Sequence, residues 1–387
     1  MYDAIVAGLG AMGSAAAFHL ARAGCRVVGF DRFTPPHALG SSHGKSRIIR
    51  EAYFEDPLYV PLVQRAYECW AELEALSGRR LLTRTGGLMI GPRDGAVVRG
   101  ARTSAVAHGL SCEELDAREL ARRVPGFRPG DDDVAIWEPR AGVLAPEAAI
   151  QSHLEQALRH GAELRFDEPV LGWSAAPGGV RVTSARGATD ARTLVIAAGA
   201  WVRELVPALA RSLVVERNVV CWFDPSRPTP RFAPEHFPVF IHEYERGKAW
   251  YGFPDLGDGV KLALHHQGEP VDPATVRRTV APAEVARVRA LARRYVPDAD
   301  GPLREAAVCL YTNTPDEHFI LDHHPDHPQV LVASPCSGHG FKFSSAIGEV
   351  IADLVREGRT RFDLRPFRLG RFANGVGRPD AGGPSRA

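Results

Sequence analysis

The chain has 387 residues, too many for one simple core, so two domains or one domain with a large insertion is expected. Hydrophobic residues make up 45% and charged residues 24%, which excludes wholesale disorder. The 47 basic and 46 acidic residues leave a net charge of +1, so neither nucleic acid nor an anionic membrane is the expected main partner. No apolar run reaches the roughly 18 residues of a membrane span. Met1-Tyr2-Asp3 enters an apolar run with no basic leader, so a cytoplasmic protein is expected.

Residues 3–7 read as a short buried strand, and Gly8-Leu9-Gly10-Ala11-Met12-Gly13 follows directly. Ser14 to Ala23 reads as a helix stopped by Gly24, and Cys25 to Phe30 as a second strand ending at Asp31. This is a strand–turn–helix–strand unit with G-x-G-x-x-G at the turn. Gly8 permits the tight turn, Gly10 lets backbone approach a pyrophosphate, and Gly13 lets helix and strand pack. The helix N-terminus then faces the phosphates. Asp31 is placed for a ribose hydroxyl, which argues against a 2′-phosphate and so against NADP.

A polar loop, Gly40 to Arg47, follows Pro35-Pro36. Residues 57–78 read as an amphipathic helix, 81–150 as short strands and helices of an inserted region, and 146–160 as a helix. Short strands are expected at 163–166, 180–184 and 193–197. The last runs into Ala198-Gly199-Ala200, whose small residues let backbone lie against a flat cofactor. Residues 213–267 are strand-like and aromatic, with turns at Pro225, Pro228 and Gly257-Asp258-Gly259. A helix is expected at 282–295, strands at 308–312 and 330–333, and a helix at 343–357. The tail from Asn374 reads as flexible.

The six cysteines form no C-x-x-C pair and no metal spacing with histidine, so they read as reduced thiols and no metal site is expected. His323, His324 and His327 read as solvated loop side chains. Only four basic residues are lysines: Lys45, Lys248, Lys261 and Lys342. Where either cation would serve, this chain uses arginine, so each lysine marks a position where a compact ammonium is needed.

A second glycine loop, Ser337-Gly338-His339-Gly340, lies between a strand and a helix near the far end of the chain. A nicotinamide dehydrogenase needs one nucleotide unit. A second helix N-terminus aimed at the same cofactor suits the ribityl chain and pyrimidine end of a flavin.

Three segments carry a family resemblance. His43-Gly44-Lys45-Ser46-Arg47-Ile48-Ile49-Arg50 resembles the loop after the first unit in the monomeric sarcosine oxidase and N-methyltryptophan oxidase family. Val308 to Phe319 resembles its flavin-attachment segment, and Ser337 to Phe343 its C-terminal flavin loop. The likeness spans residues 3 to about 372. It implies a Rossmann-like FAD-binding domain of discontinuous segments (1–82, 143–212 and 318–373) within a mixed α/β fold. The catalytic domain (83–142 and 213–317) would be built on a large mixed or antiparallel sheet.

The resemblance implies FAD attached through Cys309 by an 8α-thioether. It implies oxidation of a secondary amine to an imine, with O2 giving hydrogen peroxide and water releasing formaldehyde. Arg50 and Lys342 would hold the substrate carboxylate, with Tyr251 in the pocket. His43, Arg47, His265 and Tyr311 would lie at the reacting centre, and Lys261 on the side where oxygen reacts. The cofactor set would be Gly8, Gly10, Gly13, Asp31, Arg32, Ser41, Ser42, Ser46, Arg47, Val170, Gly199, Cys309, Gly338, Gly340 and Lys342. A monomer is expected, with a small amine and O2 as partners. Lys45, Glu51, Pro335-Cys336 and a Leu256–Lys261 turn one residue short depart from the family pattern, which leaves the choice of amine open.

The residues support this independently in part. In Val260–His265, Lys261, Ala263 and His265 share one strand face, opposite Val260, Leu262 and Leu264. That face is either catalytic or solvated. Cys309 and Tyr311 share a face by the same alternation. Trp250 and Tyr251 are pocket walls or core aromatics. Sarcosine is the expected substrate. Alternatives are bulkier N-methyl or cyclic amino acids, a flavin dehydrogenase using an electron carrier, and a non-catalytic FAD-binding protein.

Overall fold

The computed structural model describes residues 1–372 except 211, 227–229 and 335. Pro228, Pro335 and the tail from Asn374 therefore lie outside the described residues.

Two sheets organise the chain. The first has eight strands, with the N-terminal strand Tyr2–Ala7 between Gly187–Ile196 and Val27–Phe30, all parallel. Glu163–Arg165 extends it beyond Val27–Phe30, and His327–Ala333 lies beside the end of Gly187–Ile196. Parallel strands buried on both faces need apolar residues at every position. Ala4 and Val6 join the core formed with helices Ala11–Arg22, Val60–Ser77, Pro146–Arg159 and Ser344–Glu357. Ile5 and Ala7 face the other way, with Val202, Leu205 and Leu209. A Cβ at Gly348 would come 2.6 Å from the Ala15 backbone, so the first and last helices cross with no room for a methyl group.

The second sheet has nine strands, among them Val214–Phe223, Val260–His265, Lys248–Phe253, Val239–Glu245, Gly87–Pro92 and Asp133–Glu138. All its pairs are antiparallel except Gly87–Pro92 with Val239–Glu245. Val260 and Leu262 pack into an aromatic core with Phe223, Phe240 and Trp250. That places Trp250 in the core, where its indole donates to His242 Nδ1 at 3.0 Å. The opposite face of the sheet turns toward the first. Between them, Arg47–Ile49 pairs with Gly142–Leu144, which also pairs with Leu82–Arg84.

Most sequence-derived elements recur with shifted ends, but the expected loop of solvated histidines is a hairpin: His323 and His324 end the strand Leu321–His324, His327 begins His327–Ala333, and His324 and His327 pack edge-on against Trp173. The first helix starts at Ala11, the strand at 308–312 extends to Leu303–Asn313, and the helix at 343–357 begins with a short 3-10 turn, Phe341–Phe343. No helix among the described residues is long and apolar enough to cross a membrane.

Candidate active site

One cavity runs between the two sheets, lined by Asp31 and Gly8 of the first and by Lys261, Cys309 and Tyr311 of the second. At the glycine turn the three glycines differ in cause. Gly8 has φ +94°, and a Cβ there would lie 2.6 Å from Ala197 O. A Cβ at Gly13 would lie 1.7 Å from Gly8 O. A Cβ at Gly10 would meet nothing nearer than Ser42 Oγ at 3.6 Å, so only Gly10 leaves open approach to the helix end. Gly10 lines the cavity and Gly13 does not.

Asp31 is buried, and its oxygens accept from Leu9 N at 2.7 Å and Phe33 N at 2.9 Å. Burial pushes its carboxyl up despite these amides. Asp31 lines the cavity, with His37 Nε2 3.8 Å from its Oδ1. Arg32 donates to Glu204 at 2.6 Å and lies over Trp201. Ser42 Oγ accepts from Ala11 N at 3.3 Å. Arg32, Ser41, Ser42, Val170 and Gly199 all line this part of the cavity.

In the middle stands Arg47. It donates to Ser41 O at 2.7 Å, to Ser46 O at 2.8 Å and to Cys309 Sγ at 3.5 Å. A guanidinium beside a sulfur is the setting in which a thiol acts as nucleophile. Lys261 is buried and its ammonium donates to Gly44 O, Ser46 O and Ser46 Oγ. His43 is buried away from the wall, with its ring pushed down to about 4 by burial, Arg47 and Lys261. Lys45 lies outside the cavity and pairs with Asp258 and Glu305 at the surface.

Elsewhere on the cavity wall, Arg50 is buried and its guanidinium sits over the rings of Tyr53 and Phe54. One nitrogen donates to both oxygens of Glu55, at 2.6 and 2.5 Å. Lys342 donates to His339 O at 2.6 Å and to the Tyr53 hydroxyl at 3.4 Å. Burial and the neighbouring Arg50 bring its ammonium down to about 7. His265 is held neutral by burial and by the nearby cations. The hydroxyls of Tyr251 and Tyr311 meet at 3.4 Å, and both rings lean on His265. The Tyr311 ring covers Gly338, where a Cβ would come within 2.6 Å of it. Gly340 and Cys336 complete the wall, the Cys336 thiol pushed up to about 12 by burial.

Glu55 and Thr312 on the cavity wall went unnoticed in the sequence. Glu55 follows Arg50 by five positions outside any regular element, so no periodicity announces the pair. Thr312 Oγ1 is buried with no partner among the described residues. An orphaned hydroxyl on the wall, an open glycine at a helix end and an acid at the end of the second strand fit a dinucleotide cofactor.

The profile of the FAD dependent oxidoreductase family matches residues 3–354, and the chain belongs to that family. Within it, the chain is 45% identical over 376 residues to monomeric sarcosine oxidase of Streptomyces avermitilis, covering 96% of this chain and 98% of that protein. It is 37% identical over 375 residues to N-methyl-L-tryptophan oxidase of Salmonella typhimurium, covering 96% and 99%. The resemblance read from the three sequence segments therefore holds along the whole chain. The fold matches L-proline dehydrogenase from P. horikoshii with a TM-score of 0.84 at 21% identity, covering 97% and 99% of the two chains. Glycine oxidase from Geobacillus kaustophilus matches with a TM-score of 0.81 at 22% identity, covering 96% and 98%.

Proposed function

We propose that the chain is an FAD-dependent oxidase of small secondary amino acids, sarcosine first, with the flavin joined to Cys309 by a thioether. Bound FAD supplies the two-electron oxidation of amine to imine and passes the electrons to O2 as hydrogen peroxide. The observation that carries the substrate reading is the charge count beside Tyr53. Two cations, Arg50 and Lys342, face one carboxylate, Glu55, which leaves one positive charge for a substrate carboxylate.

The remaining groups suit an amine that reacts in its neutral form. Glu55 is taken by Arg50 and His265 is neutral, so beside Arg50 and Lys342 no unpaired wall carboxylate is left to stabilise an ammonium. The Tyr251–Tyr311 contact narrows the wall beside His265, which favours a substrate with little or no side chain. Arg47, donating to Cys309 Sγ, supports attachment there. Burial and Arg47 push the Lys261 ammonium well down, and the oxygens of Gly44 and Ser46 around it favour the charged form, which would serve reduced oxygen species. The residue ranges 1–82, 143–212 and 318–373 would form the flavin half, and 83–142 with 213–317 the substrate half. The Streptomyces relative is monomeric by name, which supports a catalyst acting as a single chain.

The Salmonella relative favours a second reading, oxidation of bulkier N-methyl amino acids. A panel of sarcosine, N-methyltryptophan, proline and pipecolate, assayed for peroxide in air, separates them. Peroxide formed fastest from sarcosine is expected. Turnover confined to the bulky amines would refute the size argument, and flavin reduction without peroxide would point to a dehydrogenase.

A further inference from the structure

Glu138 ends the strand Asp133–Glu138 and is 2% exposed, yet the arginines near it pair elsewhere: Arg140 lies 3.4 Å from Glu51, and Arg50 pairs with Glu55. Its two oxygens accept from the amides of Glu51 at 2.7 Å and Ala52 at 2.8 Å. These are the two amides that follow Arg50. On the other flank of Arg50, Ile49 pairs with Gly142. The short stretch from Glu138 to Gly142 thus grips the chain on both sides of Arg50. Arg50 in turn donates to Ala52 O at 3.2 Å, so the grip reaches the guanidinium itself.

A buried carboxylate without a paired cation is costly, and a neutral side chain would fill the same space. What a neutral amide cannot do is accept one N–H at each of its two polar atoms, because one of them is a donor. We propose that Glu138 is a positioning residue for Arg50: by holding the Glu51 and Ala52 amides, its carboxylate sets the guanidinium where it takes the substrate carboxylate. The inference rests on the carboxylate-binding role of Arg50 given above.

The grip is sensitive to pH. Burial, with Glu51 adding to it, raises the Glu138 carboxyl to about 7, against the pull of the two amides. The other ionisable groups facing the Glu51–Glu138 pair are Arg50, Arg84, Arg140, Tyr67, Cys112 and His108. Burial also raises the Glu51 carboxyl, the Tyr67 hydroxyl and the Cys112 thiol. Protonation removes the charge that holds both amides, so carboxylate binding weakens as pH falls through about 7. Lys342 gives the opposite limb, losing its charge as pH rises through about 7.

The test is propionate titrated against the flavin absorbance of the purified holoenzyme, between about pH 5.5 and 8.5, with the limiting rate of anaerobic flavin reduction measured alongside. Glu138→Gln should bind propionate about tenfold more weakly at pH 8 and lose the acid limb, while the limiting rate stays within about twofold. Glu138→Asp, which keeps both acceptors on a shorter stem, should lose about threefold and keep the limb. Arg50→Lys separates the two readings. If it binds propionate as wild type does, Arg50 is not the carboxylate site. If it binds weakly and Glu138→Gln does not, the positioning role is overturned. The double variant should lose no more than Arg50→Lys alone, and full additivity would overturn the link. Should Glu138→Gln fail to retain flavin, an unchanged Kd in Glu138→Asp decides against the proposal.

Discussion

Lys261 holds Ser46 at two points, its ammonium donating to the carbonyl oxygen at 3.0 Å and to the hydroxyl oxygen at 3.1 Å. The third proton goes to Gly44 O at 2.7 Å, and the rings of Trp222 and Phe253 cover the nitrogen. A strand of the second sheet is thereby bonded to the loop of the first, and the nitrogen has a fixed place on the cavity wall.

Lys261→Met should slow reoxidation of the reduced flavin by a factor on the order of 100, far more than it slows reduction by substrate. The methionine keeps the packing against Trp222 and removes the charge that favours superoxide. Stopped-flow traces of the two half-reactions read this directly. An unchanged oxidative half-reaction would place oxygen activation elsewhere.

Arg50→Ala should weaken carboxylate binding by about 2–5 kcal/mol, the usual loss on breaking a desolvated charge clamp. It also strands Glu55, whose carboxyl Arg50 holds below its ordinary range against the pull of burial, so a lowered Tm is expected as well. Glu55→Gln should do the reverse for binding, because it frees the guanidinium fork. Propionate titrations of the two variants should move in opposite directions, and a common direction would exclude competition between Glu55 and substrate.

In the proposed function Lys342 would bind the carboxylate as a cation, and burial with the neighbouring Arg50 brings its ammonium down to about 7. Below that pH the charge is present. Above it, binding must draw a proton from solvent, so Kd for an amine-free carboxylate should climb toward about tenfold per pH unit. The climb should vanish in Lys342→Met. A wild-type Kd that stays flat up to about pH 9 would mean that the lysine remains charged.

Cys309 should keep the flavin through acid precipitation, leaving a yellow pellet whose peptide carries the flavin mass. Cys309→Ser should release it all. Arg47→Met should slow attachment in apoprotein reconstitution, because it removes the donor 3.5 Å from the sulfur. Free FAD above a colourless wild-type pellet would show that the cofactor is held without a bond.

The legible parts of the sequence were those where backbone geometry restricts the residue. Gly8 and Gly13 are forced by contacts with Ala197 and with each other, so a short pattern announced them. The alternation Lys261–Ala263–His265 announced a face, because a strand repeats every two residues. Scarcity of lysine was a partial guide: Lys261 and Lys342 line the cavity, while Lys45 and Lys248 form exposed pairs. The Arg50–Glu55 pair and the Glu138 grip were not legible. Both depend on irregular chain between strands, where direction follows from tertiary contacts rather than from period. Trp250 shows the same limit, since alternation gives two faces without saying which one meets solvent.

The crossing of Ala15 and Gly348 joins positions that are synthesised almost a full chain apart. The helix that opens the glycine turn leaves the ribosome early, and its final packing partner leaves near the end. Until then its apolar flank is unsatisfied, and the wall formed by Gly338 to Lys342 does not exist. Cofactor capture is therefore a late event in biogenesis, and a nascent chain halted before residue 344 would present an open hydrophobic seam to chaperones and proteases.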